Sequence, residues 1–418
     1  MFSFREYQKP IVEKGISILK TFNVVYLAME VRTGKTLTAF GIASGVNVTN
    51  VLFVTKKKII ESGTILNDYN LINPKFDLQI INPESLHKIK DNTFDLYIVD
   101  EAHQFGTFPK PSQRIKVLRK MIGSKKLILL SGTPTPESWS QIFNQFNLTT
   151  NSPFEENSFY KWANKYVNVK KKKVSFGQTV NDYSDANIEL IKSVTDKVII
   201  SFTQKEGGFK SSVIESVLTV PMSKGTNDLI MILKKSLVYE NKDHVILADT
   251  PVKLMSKIHQ INSGTVKTEA GEGLVLDYSK GYFIRDRFAG SKIAIYYKFS
   301  SELVLLKRVF GDKLTTDLNV FNNNQGINIA LQIVSGSEGI SLKLADYIVY
   351  FNIDFSAVTY WQSRDRMTTI ERSSNYVYWV FAEGGIEFDI YKTVIGKKSF
   401  TLAHFQNIES NKQITLNL

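Results

Sequence analysis

The 418-residue sequence contains no cysteine. That excludes disulfides, thiolate metal sites and a cysteine nucleophile, and it fits a reducing interior. Long apolar runs are also missing: no segment approaches the roughly 18 apolar residues that cross a bilayer. The opening stretch, MFSFREYQKPIVEKG, carries Arg5, Glu6 and Lys9 and does not read as a secretory signal. The expectation is a soluble protein of the cell interior, cytoplasmic, with no membrane partner. There is no fixed-period repeat and no low-complexity tract. Acidic residues fall short of basic ones, 40 against 52, which leaves a net charge of +12. Such an excess suits a polyanionic partner, nucleic acid first, although a generally lysine-rich chain would show it too.

Hydrophobic residues make up 43% of the chain and aromatics 12%, enough to fill real cores, and the length suggests two or three domains. Residues 1–152 alternate amphipathic stretches with short apolar runs: NVVYLAM (23–29), NVLFVT (50–55), DLQII (77–81), FDLYIVD (94–100) and KLILLSG (126–132). This is the cadence of a parallel sheet covered on both faces. It returns in residues 284–418 with KIAIYY, IALQIV, DYIVYFN and YVYWVFAE. The stretch 153–283 between them is more polar and reads as a helical, partly basic intervening region. Its run Lys170–Lys173 reads as a solvated loop, with contact to a phosphate backbone as the alternative.

Chemistry concentrates at strand ends. MEVRTGKTLTA follows the first apolar run and opens a helical pattern. There backbone N–H groups of Arg32, Thr33 and Gly34 can face phosphates, Lys35 can reach the β- and γ-phosphates, and the Thr36 hydroxyl can ligate Mg2+. Met29 stands at the first glycine position of the full phosphate-loop pattern, so the match is TGKT plus its context. LYIVDEAHQFG delivers Asp100 and Glu101 at the end of a second run. Asp100 is placed to hold Mg2+, and Glu101 to orient or deprotonate an attacking water. His103 is either a relay or a surface histidine. LILLSGTPTP brings Ser131, Gly132 and Thr133 to a third strand end, where small hydroxyls can bond into the acidic pair.

In this order and spacing, GKT, DEAH and SGTP resemble the first motor domain of superfamily 2 helicases and translocases. The wordings SFYKWANKYVN, KIHQINSG, GSEGISL and QSRDR are similar to Snf2-type chains, and to compact phage-encoded members of the branch-migration type. The resemblance implies two RecA-like parallel α/β domains with ATP in the cleft between them. It implies that Gln8 in FREYQ reads the adenine edge, and that Thr55 and Lys56, Lys57 and Lys58 touch a nucleic-acid backbone. It further implies that Ser335, Gly336, Glu338 and Gly339 lie between nucleotide and nucleic acid, and that Gln362 and Arg366 belong to an arginine-finger segment. The activity implied is that of an ATP- and Mg2+-dependent DNA helicase or translocase acting on duplex or branched DNA. Phage replication, recombination or repair would be its setting, with replication or recombination proteins as partners. An RNA helicase, or a DNA-binding module with impaired ATPase, stays open.

Two departures bear on that expectation. Arg32 occupies a position where many relatives carry glycine; a negative φ there makes arginine cheap, and a positive one makes it an outlier. Thr369 stands at the second finger arginine, flanked by Arg364 and Arg372. If the segment is one helix, Gln362 and Arg366 share a face, which makes Arg366 the main finger and Arg372 a weaker candidate for the vacancy.

Overall fold

Every apolar run named above forms a strand in the computed structural model, which describes residues 2–173, 179–210, 212–336, 340–369 and 371–396. The chain divides into two units, residues 1–209 and 210–418. In the first unit the strands are β1 (Val24–Met29), β2 (Asn50–Val54), β3 (Asp77–Ile81), β4 (Leu96–Val99) and β5 (Lys126–Leu130). Two further strands, β6 (Lys170–Lys173) and β7 (Thr179–Asp182), form an antiparallel ribbon, and β8 (Ile199–Phe202) follows. The main sheet has the order β3-β2-β4-β5-β1-β8 with every pairing parallel. Its middle strands are apolar without alternation because both faces are covered: Leu96, Tyr97, Ile98 and Val99 of β4 are all fully buried.

The second unit opens with β9 (Ser212–Val220) and carries two small antiparallel ribbons, β10 (Val238–Glu240) with β11 (Val245–Leu247), and β12 (Thr265–Lys267) with β13 (Gly273–Val275). Its main sheet adds β14 (Ile293–Tyr297), β15 (Leu314–Thr315), β16 (Asn328–Gln332), β17 (Tyr347–Tyr350) and β18 (Ser374–Ala382). The order is β15-β16-β14-β17-β18-β9, again all parallel. One face buries Tyr296, Tyr350 and Trp379, with the rings of Tyr350 and Trp379 stacked 3.7 Å apart. The other buries Ile295, Val349, Phe351 and Val380. The α/β class with two parallel sheets is therefore what the chain adopts.

The 153–283 stretch does not stand apart as one helical body. Residues through Phe209 complete the first unit and those from Lys210 start the second. Strands β8 and β9 close an edge of each main sheet. Lys170–Lys173, read as a loop, is strand β6, held in register against Asp182, Asn181, Val180 and Thr179. Among the described residues no helix is long and apolar enough to cross a membrane.

Candidate functional site

Strand order builds the site in the first unit. The ends of β2, β4, β5 and β1 lie side by side, so Thr55, Asp100–Glu101, Ser131 and the TGKT turn emerge next to one another. Ligands of open parallel sheets bind at this carboxyl edge.

The turn after β1 is shaped by two left-handed residues, Arg32 at φ +67° and Gly34 at φ +81°. Arg32 is thus the outlier that a positive φ implies. Gly34 is required twice over: a Cβ there would also lie 2.6 Å from the Gln8 amide nitrogen. The helix Lys35–Gly45 starts at this glycine with no side-chain cap, so its first N–H groups keep no cap of their own. That is the donor set an anionic phosphate needs. Lys35 Nζ donates to the carbonyls of Met29 (3.0 Å) and Glu30 (3.2 Å), and its charge lies close enough to Asp100 to favour the carboxylate. Thr36 is half-buried in the first turn of that helix.

The turn is braced from three places. Gln8 Nε2 donates to Gly34 O and to Thr38 Oγ1, both at 3.2 Å, while its Oε1 accepts from Arg5 N at 3.0 Å. Both ends of this amide, expected on adenine, are therefore placed on protein groups. Thr33, fully buried, donates to Glu30 O at 2.7 Å, and its carbonyl accepts from Tyr7 OH at 3.1 Å. From the end of β8, Gln204 donates its backbone N–H to the Glu30 carboxylate (2.7 Å) and its side-chain amide to Val31 O (3.0 Å). The Tyr7 ring stacks on Phe202 at 4.8 Å. Tyr7 and Glu30 lie inside FREYQ and MEVRTGKTLTA without being singled out there, and Phe202 and Gln204 lie in no motif at all.

Asp100 Oδ1 accepts from Glu101 N and Oδ2 from Thr55 Oγ1, each at 2.9 Å. Loss of water around Asp100, then the Glu101 charge, raise its carboxyl pKa; the Thr55 hydroxyl and Lys35 act against them. Two adjacent carboxylates with opposed lysine and hydroxyl are suited to a cation: Asp100 and Thr36 offer the oxygen donors that Mg2+ takes together with phosphate oxygens. Glu101 itself is left-handed at φ +48°, a second strained residue at the same strand edge. His103 is buried; its Nδ1 lies 2.9 Å from Ser131 Oγ and 3.3 Å from Glu101 Oε2, and Ser131 Oγ accepts from Thr133 N at 3.1 Å. His103 is therefore no surface histidine, and SGT is joined to the acidic pair through it.

Thr55 departs from its grouping with the lysines. It is 2% exposed with its hydroxyl on Asp100, because it ends β2 beside β4, whereas Lys57 and Lys58 are exposed and Lys56 half-buried. Lys57 pairs with Glu61 at 3.6 Å across one helical turn.

In the second unit the finger segment is a helix, Ala357–Arg364, followed by a 3-10 turn, Asp365–Met367. The helical spacing from Gln362 to Arg366 therefore does not hold, since the α-helix stops before Arg366. Arg366 is 9% exposed and its carbonyl accepts from Leu342 N. Arg372 donates to the carbonyls of Lys343, Ala345, Asp346 and Ser374, which ties two loops together and commits it structurally. Arg364 is held by Glu215 at 2.7 Å. Thr369 is half-buried. Ser335 and Gly336 end the short helix Ile333–Gly336 after β16. Glu338 and Gly339, and the side chains of Gln362 and Ser335, lie outside the described residues.

A buried polar group sits at the ends of β14, β17 and β18. Lys280 and Glu387 pair at 3.0 Å with neither side chain exposed, and Lys280 also donates to Phe351 O. Glu302 accepts from the N–H groups of Lys298 and Phe299, and Asn352 bridges Glu302 to His259. Burial holds the His259 imidazole well below its ordinary pKa. His259 belongs to KIHQINSG, so that wording marks the helix Pro251–Asn262 docking on the sheet.

Residues 35–269, more than half of the chain, match the SNF2-related domain. The fold is similar to two structures from Sulfolobus solfataricus. The SWI2/SNF2 ATPase core in complex with dsDNA is 16% identical, covers 94% of this chain and 91% of its own, and has a TM-score of 0.43. The SWI2/SNF2 ATPase core domain is also 16% identical, with coverage of 95% and 89% and a TM-score of 0.41. Among curated proteins no sequence matches.

Proposed function

Because this chain belongs to the SNF2-related family, and so carries a nucleic-acid-dependent ATPase core, we propose that it hydrolyses ATP to move along or remodel duplex or branched DNA. The observation that carries the reading is the row of strand ends β2-β4-β5-β1. It sets a phosphate-binding turn, a lysine, paired carboxylates and a reporting serine on one edge. Arg32, Thr33 and Gly34 present backbone N–H groups to the phosphates, with Gln8, Tyr7 and Gln204 holding the turn in shape. Lys35 neutralises phosphate charge. Asp100 and Thr36 would hold Mg2+, which when bound spreads the charge of the transferring phosphoryl group. Glu101 orients the attacking water and accepts its proton, and His103 carries the state of Glu101 to Ser131. Arg366, at the first arginine position of the segment, supplies the finger.

The finer reading is a DNA helicase or translocase of the compact phage type, working in the cytoplasm in replication, recombination or repair, with proteins of those processes as partners. Lys56–Lys58, Ser335 and Gly336 are assigned to the nucleic acid, and Glu338 and Gly339, which lie outside the described residues, to the nucleotide.

The test is ATPase activity of wild type and Glu101→Gln across linear, forked and four-way DNA, single strands and RNA. Wild type is expected to turn over fastest with duplex or branched DNA. Glu101→Gln should lose on the order of 10²–10⁴ in turnover, the range for a positioned base, while still binding ATP. Turnover untouched by the substitution would overturn the mechanism, and stimulation by RNA alone would redirect the substrate.

A further inference from the structure

Strand β9 runs Ser212–Val220 along the edge of the second sheet, and its side chains alternate between faces. Val213, Glu215 and Val217 share the face that packs on the core containing Tyr360, Met367 and Trp379. A carboxylate is the odd member of that row. An apolar residue would sit there at less cost, since a largely desolvated charge gains only when nearly every lone pair finds a donor.

Glu215 finds them. Its Oε1 accepts from Arg364 Nη1 at 2.7 Å and Tyr360 OH at 2.9 Å; its Oε2 accepts from Trp379 Nε1 at 2.8 Å, Tyr360 OH at 3.0 Å and Tyr391 OH at 3.4 Å. Tyr360 and Arg364 are one helical turn apart on the helix Ala357–Arg364, so a single carboxylate grips that helix at two successive turns. The Tyr360 ring also stacks on Trp379 at 5.4 Å, and Tyr350 OH bonds Ser363. Arg364 is the last residue of the helix, and the turn carrying Arg366 begins at the next.

We infer that Glu215 is a positioning residue for ATP turnover: by holding Tyr360 and Arg364 it fixes the end of the helix that leads into the turn carrying Arg366. The inference rests on the reading of Arg366 as the finger. The geometry also gives Arg364 its role, as the lever Glu215 grips rather than as a second finger. A misplacement of about 1 Å in a catalytic group costs on the order of 10²-fold in rate, so a modest loosening of this helix is enough to be measured.

The experiment is a double-mutant cycle in the full chain, with DNA-stimulated kcat and the KM for ATP measured for Glu215→Ala, Glu215→Gln, Arg366→Ala and Glu215→Ala/Arg366→Ala. Glu215→Ala is expected to lower kcat at least about tenfold, below the ceiling for a 1 Å shift, with KM within about twofold. Glu215→Gln keeps the size and one acceptor oxygen, guards against a failure to fold, and should recover part of the loss. On the Arg366→Ala background, Glu215→Ala should cost nothing further, because the group it positions is gone. Additive losses, or wild-type kcat in both Glu215 variants beside a crippled Arg366→Ala, would overturn the positioning role alone. Full activity of Arg366→Ala would overturn the finger assignment and the inference with it.

Discussion

At Arg32 a long, unbranched cationic side chain sits in backbone territory that suits glycine, φ +67°, at the turn proposed to cradle phosphate. A side chain in the left-handed region costs about 1–2 kcal/mol, and glycine returns part of that gain as lost unfolded-state entropy. Arg32→Gly and Arg32→Ala both remove the guanidinium, but only the first relieves the backbone. The glycine variant is therefore expected to be more stable than the alanine variant by about 1 kcal/mol. Denaturant unfolding followed by tryptophan fluorescence reads the difference, and equal midpoints would show that no strain is stored there. At this scale the sequence is legible where a motif is local. TGKT, Asp100–Glu101 and Ser131 sit at their strand ends, as hydrophobic run followed by polar residue implies. What it hides is distance: Gln204 holds the turn from 173 residues beyond Val31, and no local pattern announces that. Thr55 was hidden by its neighbours, because three lysines beside it suggest solvent, while its place at the end of β2 turns it onto Asp100.

Among the elements, the ribbon β6–β7 changes what the lysine run can do. In a strand, successive side chains point to opposite faces, and Lys170 and Lys172 fall on the side of Asp182, whose carboxyl is held below its ordinary range by the hydroxyl and N–H of Ser184 and by these lysines. Lys170 also pairs with Asp185 at 2.6 Å. Lys171 and Lys172 are exposed, and a two-stranded ribbon fits a duplex groove. Lys171→Glu, on the face away from Asp182, is expected to weaken duplex binding and to flatten the dependence of log affinity on log salt by about one contact, a slope of roughly 0.9. ATP turnover without DNA should not change. A titration at several salt concentrations checks this, and an unchanged slope would leave the lysines as a solvated edge that discourages strand pairing. Strand legibility follows the same logic of burial. Central strands covered on both faces read as unbroken apolar runs, whereas β8 and β9, with a neighbour on one side only, show mixed burial and were lost in a stretch that reads as polar. The finger helix was legible as a helix but not in its end, since nothing in QSRDR says that α-geometry gives way to a 3-10 turn after Arg364.

For the molecule as a whole, the division at Phe209 separates the two halves of the proposed chemistry. The phosphate turn, Asp100, Glu101 and His103 belong to the first unit together with a core running from Ile11 to Ile200, and Arg366 belongs to the second, whose sheet has its own cores on both faces. Composition and periodicity suggested two α/β bodies, yet not where one ends, because the boundary falls between two edge strands that themselves read as polar, with only the pair Gly207–Gly208 to punctuate it. A unit with its own core and the whole of the proposed phosphate turn should bind nucleotide unaided. A fragment of residues 1–209 is therefore expected to bind ATP but to hydrolyse it slower than the full chain with DNA by roughly 10³–10⁵, the range over which a supplied arginine acts. Fluorescent-nucleotide titration and single-turnover hydrolysis measure the two properties separately. A fragment that binds and hydrolyses at the rate of the full chain would show that the first unit is catalytically complete, and that Arg366 with the helix behind it serves something other than the chemical step.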